Sequence, residues 1–177
     1  MVKNKKVSNT QVLAESIVCI ALSAVLSMIK VYQLPFGGSI TLGGMVPILW
    51  LALRRGPRIG IGAGLVFGLV IAVIEPFFFS PFQVLLDYPI AFGALGLAGF
   101  FKKYPVAGVG VGIFGRFIAH FLSGVIFFWM YAPEGMHPMV YSAVYNGSYL
   151  LPELVVSAVI IYILAKAGIM KIYLETP

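Results

Sequence analysis

The run Leu53-Arg54-Arg55-Gly56-Pro57-Arg58-Ile59-Gly60-Ile61-Gly62-Ala63-Gly64-Leu65-Val66-Phe67-Gly68-Leu69-Val70-Ile71-Ala72-Val73-Ile74-Glu75-Pro76 decides the fold, because it carries both a hydrophobic span and its orientation signal. The sixteen residues from Ile59 to Ile74 hold no charge and nothing more polar than glycine. Three arginines stand before them and one carboxylate after. A helix rises about 1.5 Å per residue, so some 20 apolar residues cross a hydrocarbon core about 30 Å thick. This run reads as a membrane span with a cationic entry.

Working outward, five further stretches have the same character. They run from about Gln11 to Ile29, Ile40 to Leu53, Val84 to Phe101, Val106 to Met130 and Tyr141 to Ala165. The chain is 60% hydrophobic and 10% charged, with a mean hydropathy of +1.01. A soluble domain of 177 residues needs far more polar surface than that. Each span is expected to be helical, since lipid offers the backbone no hydrogen-bond partner. Glu75-Pro76, Lys102-Lys103-Tyr104-Pro105 and Ala132-Pro133-Glu134-Gly135 punctuate them as loops. The expectation is an all-α integral membrane protein of six transmembrane helices. It forms one domain over residues 1–177, without repeat or linker.

Orientation follows from the cations. Lys3, Lys5, Lys6, Arg54, Arg55, Arg58, Lys102, Lys103, Lys166 and Lys171 fall on one face of a six-span arrangement. Lys30 alone falls on the other, and Arg116 lies within the fifth span. Both termini are therefore expected to be cytoplasmic, with a short N-terminal tail, and the protein to sit in the cell membrane. The net charge of +6 is explained by loops facing anionic lipid, so no nucleic-acid partner is inferred. Lysines precede the first span as in a signal peptide, but no small-residue cleavage site follows it. Cys19 is the single cysteine and excludes an internal disulfide.

Ionisable groups at bilayer depth are costly and usually face the bundle interior. Glu15 is expected at the interface beside Lys5 and Lys6, and Glu75 to be solvated at the outer end of its span. Asp87, between apolar neighbours, either pairs with Arg116 or contacts a ligand. Arg116 and His120, four apart, share a helical face. Glu153 is an alternative partner for Arg116, which would leave Asp87 to the ligand. Tyr141, Tyr145, Asn146 and Tyr149 make a polar-aromatic surface of two turns, and a buried amide needs partners. Phe67, Phe77, Phe78, Phe79, Phe82, Phe127, Phe128 and Trp129 crowd the same leaflet. A carboxylate, a histidine, an amide and many aromatics suit a flat, cationic, hydrogen-bonding small molecule.

Other classes lack their signatures. No phosphate-cradling loop ends in Gly-Lys-Ser/Thr, so the chain is not expected to hydrolyse ATP itself. There is no His-Glu-x-x-His, only His120 and His137 are present, and no serine has a nucleophile-elbow context. No cofactor, metal or catalysed reaction is expected. Six short spans without an inverted repeat are small for a self-sufficient alternating-access transporter. The chain reads as a binder that needs a partner to move its ligand. Small-residue stripes at Cys19/Ser23/Ser27, Gly60/Gly64/Gly68 and Gly108/Gly112 suit close helix packing, within the bundle or against a partner.

Several segments in order carry a resemblance. These are Met45-Val46-Pro47-Ile48, Leu53-Arg54-Arg55-Gly56, Leu85-Leu86-Asp87-Tyr88, Arg116 through Phe128, and Tyr141-Ser142 followed by Tyr145-Asn146-Gly147. Together they resemble the thiamine-specific substrate-binding (S) component of energy-coupling factor (ECF) transporters, the ThiT group. The resemblance implies a six-helix S-component fold with thiamine bound near the outer surface. It implies ligand contacts from Asp87, Tyr88, His120, Tyr141 and Asn146, with Phe67, Phe77 and Phe128 enclosing the rings. It implies partners too: a membrane coupling protein and two cytoplasmic ATPase subunits. The chain departs from the group in having Asp87 where glutamate is frequent, and Phe67 and Phe128 where tryptophan can stand. Phe36-Gly37-Gly38-Ser39-Ile40-Thr41 replaces a segment that in some members carries a tryptophan and a carboxylate. The alternatives are an S component for another heterocycle or thiamine precursor, a secondary transporter, and an intramembrane enzyme using Asp87, His120 and Glu153.

Overall fold

The computed structural model describes residues 8–168. Helix α1 (Asn9–Met28) begins at Ser8, whose hydroxyl accepts from the Gln11 N–H at 3.2 Å as an N-cap. A short antiparallel hairpin follows, β1 (Lys30–Gln33) with β2 (Ser39–Thr41), pairing Tyr32 with Ile40 and Gln33 with Ser39. Then come α2 (Val46–Arg55), α3 (Pro57–Ile74), α4 (Pro81–Phe101), α5 (Pro105–Phe127) and α6 (Pro138–Lys166). Lys3, Lys5, Lys6 and Lys171 lie outside the described residues.

Among the described residues, five helices are long and apolar enough to cross a membrane: all but α2. The expected second span, Ile40 to Leu53, breaks into β2, a turn at Gly43-Gly44 and a ten-residue helix. Gly43 has φ +80°, which a side chain resists, and Gly44 lies against Ser27. At about 1.5 Å per residue, α2 is only about 15 Å long. It is also the centre of the protein, with Ile48, Leu49, Leu51, Ala52 and Leu53 wholly buried. An apolar run enclosed by other helices need not span lipid to be hydrophobic on every side.

Glycines set the packing. A Cβ built on Gly64 would lie 2.3 Å from the Phe92 carbonyl oxygen, and one on Gly68 2.4 Å from that of Tyr88. The α3 stripe is thus consumed against α4 and, at Gly60, against Ala52 of α2 as well, while Gly96 meets the backbone of Ile61 in return. Gly108 and Gly112 likewise sit against Ala98 and Leu95 of α4. On α1, Cys19 and Ser23 are buried in the bundle.

Helix α4 changes pitch along its length. It is α-helical over Pro81–Leu85, widens to a π turn over Leu86–Ile90, and tightens to a 3₁₀ helix over Leu95–Phe101. Pro89 lacks the N–H for the regular ladder, and the Ala91 N–H reaches back five residues to Leu86. Asp87 sits in that widened turn.

Arg54, Arg55, Arg58, Lys102, Lys103 and Lys166 gather at one end of the bundle, where the Lys102 ammonium reaches the Arg54 carbonyl at 3.4 Å. Glu15 joins this end. Its carboxylate takes the Arg54 guanidinium at 2.8 Å and that of Arg55 at 2.6 Å. Glu15 is expected at the interface beside Lys5 and Lys6, which lie outside the described residues; the partners the structure gives it are the two arginines of α2.

Candidate functional site

At the opposite end, the helix termini and loops surround a cavity of about 530 Å³. Its polar floor is built by α4 and α5. The Asp87 carboxylate receives His120 Nδ1 at 3.0 Å on Oδ1. On Oδ2 it receives Gln83 Nε2 at 2.7 Å and Ser123 Oγ at 2.9 Å. Gln83 precedes Asp87 by one turn, while Arg116, His120 and Ser123 follow one another along the inward stripe of α5. Arg116 Nε donates to His120 Nε2 at 3.2 Å, so that nitrogen is an acceptor. The imidazole is therefore neutral, with its proton on Nδ1 directed at Asp87. Arg116 also lies over the Phe92 ring, 4.1 Å from its centroid.

Neither pairing foreseen for Arg116 is realised: among the described residues it has no ion pair with Asp87 or Glu153. His120 stands between Arg116 and Asp87 as a relay. Glu153 instead accepts the N–H of Thr41 and, at 2.6 Å, its hydroxyl. Glu75, expected to be solvated, forms a 2.8 Å ion pair with Lys30 across the cavity mouth.

Two tyrosines hold the covering loops. Tyr88 OH accepts from the Phe77 N–H and donates to the Glu75 carbonyl, both at 2.8 Å, fixing the turn between α3 and α4. Tyr145 OH accepts from the Gly38 N–H at 3.0 Å and donates to the Pro35 carbonyl, fixing the hairpin tip. A Cβ on Gly38 would come within 2.8 Å of the Tyr149 ring, so a larger residue there would have to displace it. At the same tip Phe36 has φ +65°, a conformation costly for an aromatic residue. Its ring is held against Tyr131 at 4.5 Å. Phe77 and Phe128 (5.7 Å) and Tyr141 and Tyr145 (6.0 Å) complete aromatic walls.

Asn146, 5% exposed, is well supplied with partners. Its amide nitrogen donates to the Ser142 carbonyl at 2.9 Å and contacts the His120 carbonyl at 3.3 Å. Its oxygen accepts from Tyr149 OH at 2.9 Å. That oxygen keeps one lone pair, and Asp87 keeps one of its four acceptor sites.

The thiamine transporter protein family (Thia_YuaJ) matches residues 13–172 of this sequence. The chain belongs to this family. Thiamine transporter ThiT of Bacillus subtilis strain 168 is 34% identical over 149 residues, spanning 75% of this chain and 77% of the relative. Thiamine transporter ThiT of Lacticaseibacillus paracasei is 34% identical over 141 residues, spanning 68% and 70%. A solved structure of ThiT from Listeria monocytogenes superposes with a TM-score of 0.80 at 30% identity, covering 89% of this chain and 94% of that one.

In this thiamine transporter family member, Asp87, Tyr88, His120, Tyr141, Asn146, Phe77 and Phe128 all line the cavity. Phe67 does not. It is wholly buried one layer behind, packed edge-on against Phe92 at 4.6 Å, and Phe92 presents the wall. The cavity is also lined by Gln83, Met45, Phe92, Tyr145 and Tyr149, and Ser123 donates to Asp87 from behind the lining. Helical spacing marks two of these: Gln83 lies four residues before Asp87, and Ser123 three after His120. Met45 and Phe92 look like any core residue in sequence.

Proposed function

We propose that this protein is the S component of an ECF-type importer, capturing thiamine outside and passing it inward with a membrane coupling protein and two ATPase subunits. The observation that carries the reading is the Asp87–His120–Ser123–Gln83 cluster on the floor of an aromatic cavity, in a chain of the thiamine transporter family. Thiamine combines a permanent positive charge with a hydrogen-bonding aminopyrimidine. Asp87 offers it a carboxylate that lines the cavity and is prepared by three donors, so that binding needs little reorganisation. The Asn146 oxygen serves the pyrimidine edge, and Tyr141, Phe77 and Phe128 cover the rings. Tyr88 acts through the loop it holds, since both sides of its hydroxyl are occupied. Phe67 supports the wall through Phe92.

In this proposal the basic end faces the cytoplasm with both termini, and the cavity faces outward. The binding test is titration of the detergent-purified protein with thiamine, its phosphates and its pyrimidine half. Tight binding of thiamine supports the reading, and no binding of any of them overturns it. For coupling, the protein alone in liposomes is expected to bind thiamine without concentrating it; concentrative uptake would make it a secondary transporter. For orientation, with Cys19 replaced, cysteines near Gly38 or Gly135 should react with an impermeant reagent in intact cells. Those near Arg55 or Lys103 should be protected.

A further inference from the structure

Glu153 is a buried carboxylate with no place in the ligand contacts proposed above. It lies on α6, 2% exposed, and its Oε1 takes both donors of Thr41. Its Oε2 is buried and has no hydrogen-bond partner among the described residues. Thr41 lines the cavity, as do Tyr149 one turn before Glu153 and Arg116 on α5, so the carboxylate stands directly behind the wall.

The charges around the cavity can be counted. Lys30 and Glu75 neutralise each other at the mouth. His120 is neutral, because its Nε2 accepts from Arg116. Arg116 is linked to Asp87 through that imidazole, and its guanidinium also faces Glu153 electrostatically, without an ion pair to either carboxylate. Two carboxylates therefore share one guanidinium, and one negative charge is left over. The other groups facing Glu153 are Thr41 from the hairpin and Tyr149 on its own helix, neither of them a cation. In a low-dielectric interior that surplus charge is felt over several ångströms without contact.

We propose that Glu153 is the specificity-determining residue that makes the cavity select a ligand of charge +1. It acts through the field behind Thr41, while Asp87 makes the direct contact. The proposal rests on the thiamine reading above. It also gives the two bonds from Thr41 a purpose: they hold one carboxylate oxygen in place and leave the other without a hydrogen-bond donor among the described residues.

The test separates charge from scaffolding. Wild type, Glu153→Gln and Thr41→Val are purified, checked by thermal melting, and titrated with thiamine and with a neutral analogue whose charged ring nitrogen is replaced by carbon. Glutamine keeps an oxygen for Thr41 to donate to but removes the charge. Glu153→Gln is expected to weaken thiamine by about tenfold and the neutral analogue by less than about twofold. Thr41→Val, which removes a hydrogen bond but no charge, is expected to weaken both alike. Equal losses for both ligands in Glu153→Gln, or no loss for thiamine, would overturn the proposal. If neither glutamine nor methionine at position 153 gives a folded protein, the carboxylate is structural and the proposal fails as well. Wild type binding neither ligand would be a failure of the thiamine reading itself, visible before any variant is made.

Discussion

The two ends of this bundle are held together by different physics. Toward the basic end, α2 to α5 interlock through glycines that bring backbone against backbone, around a helix whose middle residues have no exposure. Toward the cavity end, contact is made by side chains reaching across gaps: Tyr88 to one loop, Tyr145 to the hairpin, and Gln83, His120 and Ser123 to Asp87. A close-packed seam cannot yield without clashing, whereas a hydrogen-bonded lid can exchange one partner for another. The close-packed half is the frame, and in the function proposed here the hydrogen-bonded half is where the ligand enters.

The largest effect should come from breaking the frame. Gly64→Leu forces side-chain atoms into the Phe92 carbonyl and should cost roughly 3 kcal/mol or more, seen as lost folded yield or a much lower Tm. Gly62→Leu, on the same helix with nothing within 4 Å of its Cβ, should leave Tm nearly unchanged. Equal behaviour of the two would dissolve the distinction between the halves.

Next, Asp87→Asn should keep the wild-type Tm to within a few degrees yet lose roughly 2–5 kcal/mol of thiamine binding by calorimetric titration. A well-folded variant that binds as tightly as wild type would remove Asp87 from the centre of the site. Tyr145→Phe removes the hydroxyl that holds the hairpin tip and should cost about 1 kcal/mol of binding, mostly through faster ligand release in stopped-flow fluorescence. Phe67→Leu should act in the opposite sense to Asp87→Asn, lowering Tm while changing affinity little, because the ring lies behind Phe92. Least of all, Glu134→Gln in the loop between α5 and α6 should change neither quantity measurably.

What the sequence conveyed about each half follows the reach of its interactions. Apolar runs and clustered cations are local, and they are enough to place the long spans and the basic end. That Asp87, His120 and Asn146 meet at one cavity is legible because polar groups within apolar helices stand out, and the i, i+4 relation of Arg116 and His120 puts them on one stripe. Phe67 was placed on the wall because nothing in a sequence tells the first layer of aromatics from the second. The hairpin from Lys30 to Thr41 falls between the first expected span and the start of the second, which takes in Ile40 and Thr41; strands of four and three residues carry too little alternation to show. The partners of Glu15 and Glu153 were missed for another reason. Each carboxylate had a plausible cation in view, while its real donors lie 39, 40 and 112 residues away.

The π turn at Leu86–Ile90 breaks the phase of α4. A turn with an extra residue rotates everything beyond it, so one helical wheel drawn over Pro81–Phe101 assigns faces wrongly on one side or the other. Upstream of the break, Gln83 is aimed at Asp87; downstream, Gly96 is aimed at α3. One helix thereby serves the cavity with one face and the glycine seam with another that a regular helix would not align. Anyone transplanting this carboxylate into a different scaffold must carry the five residues Leu86–Ile90 as a cassette, because Asp87 without Pro89 is a residue out of step.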